Sequence, residues 1–227
     1  MGVRLFVTGT DTGVGKTEVA AAVLELLVLQ GDRPRAFQPY ESGPGSDARR
    51  LWRAAGRGQP LSTASCYRFR RPLAPGLAAR LEGKPSGLER VERAFRRLGP
   101  GSLVVEGAGG LFLPLEPRYD VIHLVARLGL PALLVARAGL GTINHTTLSL
   151  LALEAAGVPV AGVILVQGQP RADPSVRWNR PELQRRFPAI PVLGPVPFRR
   201  EVGSRRKALH AALAPLLEAR GRGGSSR

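Results

Sequence analysis

The densest chemistry in this chain lies in Thr8-Gly9-Thr10-Asp11-Thr12-Gly13-Val14-Gly15-Lys16-Thr17. Glycines let a backbone turn its N–H groups inward around phosphate oxygens, a lysine neutralises their charge, and a hydroxyl beside the lysine can hold Mg²⁺. The strict spacing G-x-x-x-x-G-K-[ST] puts the first glycine at position 10, but this chain has Thr10 there and its glycine one place early, at Gly9. Context supports the phosphate grip. A strand-like run, Val3-Arg4-Leu5-Phe6-Val7, precedes the loop and a run rich in Ala, Val and Leu follows it, so strand, loop and helix N-terminus arrive in order.

A magnesium-nucleotide site needs one or two carboxylates beside Thr17. Asp47 opens a helical stretch after the second strand-like run, and Glu106 ends Leu103-Val104-Val105. Spacing alone leaves both open: Asp47 also reads as a helix cap beside Ser46, and Glu106 as a solvated strand end. Gly107-Ala108-Gly109-Gly110 would let backbone amides approach a ligand, or make a tight turn. Gly139-Leu140-Gly141-Thr142-Ile143-Asn144 leads from a strand into a long helix, and its first N–H groups make a second natural anion seat. His123, His145 and His210 fall at ordinary helix positions.

These residues need a frame to hold them. Apolar periodicity alternates between short β-like runs at 3–8, 34–38, 102–106, 131–136, 160–166 and 190–194 and helical stretches near 16–30, 47–55, 74–82, 87–98, 119–128, 143–156, 181–187 and 205–219. That alternation predicts an α/β fold, a mostly parallel central sheet with helices on both faces. Ligands collect beyond the carboxyl ends of such strands, where each motif above falls. Residues 56–75 carry no clear period and read as an ordered excursion.

With 227 residues, 44% hydrophobic and 22% charged, one α/β domain over 1–219 is expected, followed by a flexible tail at 220–227. No apolar run approaches the ~20 residues of a membrane span, so a soluble, cytoplasmic protein is expected, with no membrane partner. Cys66 is the single cysteine; it reads as a small buried hydrophobe in a reducing compartment. The net charge of +16 sets 33 basic residues against 17 acidic ones, and of the basic residues only Lys16, Lys84 and Lys207 are lysines. The arginines are spread along the chain and 5% of residues are aromatic, which argues for diffuse surface charge and against a nucleic-acid site.

Taken together, the motifs resemble dethiobiotin synthetase, a P-loop NTPase-like family, from the first strand to about residue 200. The match is carried by Gly9 to Thr17, Pro39-Tyr40-Glu41-Ser42-Gly43, Ser46-Asp47-Ala48, Val105 to Gly110 with Pro114-Leu115, and Leu140 to His145. This family's loop also begins G-T-D-T, which accounts for the early glycine. Asp11 stands where the deviant loop of partitioning ATPases has a second lysine, which disfavours that relative.

The resemblance implies ring closure across 7,8-diaminononanoate with CO₂ and ATP: an amine captures CO₂ as a carbamate, the carbamate takes the γ-phosphoryl, and the second amine displaces phosphate. It implies Mg²⁺ and ATP at Thr12, Gly13, Val14, Gly15, Lys16 and Thr17, with Thr17, Asp47 and Glu106 on the metal. Lys16, Thr12, Ser42 and Gln38 would serve catalysis, and Thr12, Ser42, Gly109 and Gly110 the diamine or its carbamate. Gly141, Thr142, Ile143 and Asn144 would take the substrate's distant carboxylate from a neighbouring subunit, which requires a homodimer.

Two positions depart from the family pattern. Its lysine in K-P-x-x-S-G is replaced by Gln38, so either a nearby arginine substitutes, or the enzyme is slow, or its chemistry has drifted. The asparagine that reads adenine is replaced by Val166, leaving Gln167 or the Gly194–Phe198 loop with Pro197 to meet the base, and weaker base discrimination is expected. Rival readings are a regulatory nucleotide switch and an ATP-dependent amide-forming synthase. The latter normally carries a glutamine-hydrolysing domain with a Cys nucleophile, for which this chain has no room.

Overall fold

A computed structural model describes residues 2–170 and 173–222, with side chains through residue 219. Six parallel strands form the central sheet: β1 (Arg4–Gly9), β2 (Arg35–Phe37), β5 (Leu103–Gly110), β8 (Ala132–Arg137), β9 (Val160–Val166) and β10 (Val192–Val196), in the order β10-β9-β8-β1-β5-β2. All six expected strands are present. β1 lies in the middle, so its loop opens with neighbours on both sides.

Alternation along the strands sorts two cores. Leu5 and Val7 of β1 face one layer with Val19, Val23 and Leu27 of α1 (Lys16–Leu29), Leu51 of α2 (Asp47–Ala54) and Leu209 and Leu213 of α8 (Val202–Arg222). Phe6, pointing the other way, packs with Val105, with Ala78 of α3 (Pro75–Glu82), Val91 of α4 (Leu88–Arg97) and Val125 of α5 (Val121–Leu128). Leu150 of α6 (Thr142–Ala155) and Leu183 of α7 (Val176–Arg186) extend that second layer beneath β8 and β9. Strands buried on both faces read as near-continuous apolar runs, which is why Leu103–Val105 and Val163–Val166 lack a polar alternate.

Local features add to or depart from the expectation. Residues 56–75 contain a 3₁₀ turn, Leu61–Thr63, and β4 (Tyr67–Phe69), which pairs in parallel with β3 (Tyr40–Ser42). A second small ribbon pairs β6 (Pro114–Glu116) with β7 (Tyr119–Asp120), so the helix expected from 119 starts at Val121. Strands of two or three residues are too short to show a period.

The helix expected at 181–187 begins at Val176. Pro181 reads as a first-turn residue, but it sits inside α7, whose start is tied down by Asn179: its Nδ2 donates to the carbonyls of Ala138 and Gly139 at 2.8 and 3.1 Å. Of the tail expected at 220–227, α8 includes residues to Arg222, and 223–227 lie outside the described residues. Cys66 is half-buried, packs against the second core, and burial pushes its thiol up to about 11.

Candidate active site

The early glycine has a packing cause. A Cβ on Gly9 would lie 2.8 Å from Val14 Cγ2 and 3.1 Å from Lys16 Cδ, so the loop folds back over the end of β1 only if position 9 is bare. Gly15, at φ 101°, is the left-handed residue before α1 and turns the chain into the helix. Asp11 shapes the loop's outer edge: its carboxylate accepts from Thr12 N at 2.6 Å and pairs with Arg137 at 3.1 Å. Lys16 is buried, and its Nζ donates to the Asp11 carbonyl at 2.8 Å.

β5 runs beside β1 and delivers Glu106 next to the loop. Thr17 Oγ1 donates to Glu106 Oε1 at 2.7 Å, and buried Glu106 Oε2 has no partner. Burial above all, then the negative charge of Asp47, pushes Glu106 up to about 8 against the Thr17 hydroxyl, Lys16 and Arg50. Burial likewise lowers Lys16, opposed by Glu106, Asp11 and Asp47. A buried carboxylate with a bare oxygen, a second carboxylate near it and a hydroxyl alongside make a hard oxygen donor set, which suits Mg²⁺. No group of three or more His, Cys, Asp or Glu is placed to cage a metal among the described residues.

Asp47 is the first residue of α2 rather than its cap. Ser46 is the cap, accepting from Arg49 N at 3.2 Å, and Glu41 Oε1 accepts from Ala48 N at 3.0 Å. Glu41 is therefore absorbed by the positive end of a helix, which leaves the Asp47 carboxylate to the cleft. That cleft, about 600 Å³, is lined by Thr12, Gly13, Gly15, Lys16, Thr17, Gln38, Ser42, Asp47, Glu106 and Gly109. Gln38 is buried and its Oε1 has no partner.

Other expected residues lie elsewhere. Gly110 pairs with Gly9 between β5 and β1, and a Cβ there would meet the Thr10 carbonyl at 3.4 Å; it supports the loop and does not line the cleft. Val14 is buried beneath the loop. Val166 ends β9 against Gly15, where a Cβ would sit 3.5 Å from its Cγ1, and Gln167 Nε2 donates to the Gln169 carbonyl at 2.9 Å. With half-buried Pro197 they lie on the β9–β10 side of the loop, opposite Asp47 and Glu106. Gly141 to Asn144 lie at the start of α6 and do not line their own chain's cleft; Thr142 is buried, Ile143 packs inward and Asn144 is exposed.

Two histidines have structural duties: His123 Nδ1 accepts from Asp120 N at 3.0 Å in the cap of α5, and His210 pairs with Glu25 at 3.0 Å. The sequence reading missed Glu18, Tyr40, Arg50, Leu113 and Arg205 on the cleft wall. Two had left a signal: Tyr40 lies within the Pro39–Gly43 motif, and Arg50 follows Asp47 by three residues and thus shares its helix face.

A glycine-rich loop at the end of a central strand, with a lysine, a hydroxyl and a strand-end carboxylate converging at a helix N-terminus, defines a P-loop nucleotide-binding protein. A family model described as an AAA domain matches residues 3–206. The chain is 46% identical over 220 residues to the ATP-dependent dethiobiotin synthetase BioD of Anaeromyxobacter dehalogenans (strain 2CP-C), covering 94% of this chain and 98% of the relative. It is 37% identical over 199 residues to the protein of the same name in Bacillus subtilis (strain 168), covering 85% and 86%.

The chain belongs to the ATP-dependent dethiobiotin synthetase family. Among solved structures, cobyrinic acid a,c-diamide synthase from Mycobacterium smegmatis with bound ADP and magnesium matches with TM-score 0.58 at 16% identity, over 98% of this chain and 97% of that one. The MinC:MinD complex of Aquifex aeolicus matches with TM-score 0.58 at 14% identity, over 100% and 98%. At such identities the likeness speaks for the fold alone.

Proposed function

We propose that this protein is an ATP-dependent ligase of biotin biosynthesis that closes the ureido ring of dethiobiotin from 7,8-diaminononanoate and CO₂. One observation carries the site reading: Thr17, Glu106 with its bare buried oxygen, Asp47 and Lys16 share one cleft with Gln38, Ser42 and Gly109. Phosphate chemistry and room for an amine nucleophile lie within a single space.

In this reading an amine of the substrate attacks CO₂, loses a proton and becomes a carbamate. A carbamate oxygen attacks the γ-phosphorus and ADP leaves. The second amine then attacks the carbonyl carbon, expels phosphate and loses its proton as the ring closes. Little covalent work falls to the protein; positioning and charge neutralisation do the rest. The loop amides and Lys16 hold the phosphates, while Thr12, Ser42 and Gly109 orient the carbamate. Gln38 offers an uncharged carboxamide, a donor and an acceptor, at the carbamate end. Mg²⁺, held by Thr17, Asp47 and Glu106, supplies charge neutralisation on the phosphate oxygens when bound.

The start of α6 would receive the substrate's carboxylate from the neighbouring subunit of a homodimer. Exposed Asn144, Leu148 and Leu151 fall along one face of α6, and Leu140 just before it is 87% exposed. Among the described residues no helix is long and apolar enough to cross a membrane; a cytoplasmic place for the reaction is part of this proposal.

The test is a mixture of protein, Mg-ATP, bicarbonate and 7,8-diaminononanoate analysed by mass. Dethiobiotin formed in step with phosphate release is the expected result. Nucleotide binding with no product would favour a regulatory switch.

A further inference from the structure

Lys16, Arg50 and Arg205 are the cations that line the cleft, against Glu18, Glu41, Asp47 and Glu106. A triphosphate and a carbamate would bring several more negative charges, of which a divalent ion cancels two. Beyond the loop amides, these three side chains are the cleft's sources of positive charge among the described residues.

Arg205 lies against Glu18: its Nε is in ion-pair contact with that carboxylate, and its side chain is only 23% exposed. Arg50 is held differently. Its Nη2 lies 3.8 Å from the other Glu18 oxygen, at the outer limit of an ion pair, and half of its side chain is exposed. A pair of that length and exposure restrains a guanidinium weakly, and Glu18 keeps Arg205 if Arg50 leaves.

Arg50 also stands where the charge is needed. It follows Asp47 by three residues on α2, about one turn along the same face. It lines the cleft and also the adjoining groove of about 380 Å³ between α1, α2 and α8. The residue that follows β2, also on the cleft wall, is the uncharged Gln38. A guanidinium can grip two phosphoryl oxygens at once, which an ammonium cannot.

We propose that Arg50 is the second phosphoryl-binding cation of this cleft, leaving Glu18 to Arg205 and taking up γ-phosphoryl oxygens as the group passes to the carbamate. This rests on the ligase reading above. Charge that develops during transfer is then met by Lys16 from the loop and Arg50 from α2. Glu18 acts as a parking place.

The experiment compares native protein with Arg50→Ala, Arg50→Lys and Arg50→Ala combined with Gln38→Lys. It reads kcat, KM for ATP, melting temperature, and affinity for Mg-ADP with and without aluminium fluoride, a mimic of the phosphoryl group in flight. Arg50→Ala is expected to lower kcat about 100-fold with KM for ATP changed less than about threefold, and to weaken the aluminium fluoride complex but not Mg-ADP. Arg50→Lys recovers part of the loss, and Gln38→Lys accelerates Arg50→Ala by more than it accelerates native protein.

A kcat for Arg50→Ala within about threefold of native, or equal weakening of both nucleotide complexes, overturns the proposal. Failure of the ligase reading looks different. Native protein that made no dethiobiotin would refute the substrates, while selective loss of the aluminium fluoride complex in Arg50→Ala would still support Arg50 as a phosphoryl ligand.

Discussion

At Glu106, burial makes the carboxylate hard to ionise and leaves one of its oxygens without a partner. Its Oε1 is taken by Thr17 and its Oε2 by nothing, so a buried acceptor is left bare at a cost of about 1–3 kcal/mol unless an ion or water meets it. Glu106→Gln keeps the shape and an acceptor for Thr17 but removes the charge. Calorimetry with ADP should then show that Mg²⁺ no longer tightens binding, and turnover should fall about 10²- to 10³-fold. Undiminished tightening by Mg²⁺ would take Glu106 off the metal.

Elements fix where such residues point, and one contact shows how the small ribbons are held. Glu82, at the end of α3, accepts from the backbone N–H groups of Arg70 and Arg71 at 2.8 and 2.9 Å and pairs with Lys84 at 2.8 Å. Lys84, then the Arg71 and Arg70 amides, bring its carboxyl down to about 2. Its folded value lies below its ordinary one, so its contribution is complete above about pH 4.5 and is lost as pH falls through about 2. Glu82→Gln should therefore melt earlier than native protein at pH 7, with a gap that narrows as pH drops below 4.5. A gap independent of pH would mean the charge is idle.

The large elements were legible in the sequence and these small ones were not. β1, β5, β8 and β9 are buried on both faces and write themselves as apolar runs. β3, β4, β6 and β7 have two or three residues each, and their pairing is decided by partners distant in sequence. The phosphate loop was visible because local chemistry and a strand end coincide, whereas Asp47 and Glu106 stayed open on spacing and were singled out by the family resemblance. The role of Glu41 as a cap for α2 needed the coordinates, since its partner Ala48 N offers no signal in residue type. Arg50 and Arg205 come together only through the packing of α1 between α2 and α8, 155 residues apart in the chain.

For the whole molecule, the question is how one cleft serves a long substrate. Leu148 and Leu151 are 58% and 50% exposed on α6, in line with Asn144. If that face joins two copies, each +16, the dimer should tighten as salt screens the repulsion. Leu148→Asp should give the monomer mass in sedimentation and raise KM for the diamine, leaving Mg-ADP affinity unchanged; a native protein that sediments as a monomer would remove the shared carboxylate site. Transfer between a triphosphate and a carbamate in the common cleft is tested most directly by following oxygen. With ¹⁸O-labelled bicarbonate, the phosphate released in each ring closure should carry one labelled oxygen. Unlabelled phosphate released along with dethiobiotin would contradict the account.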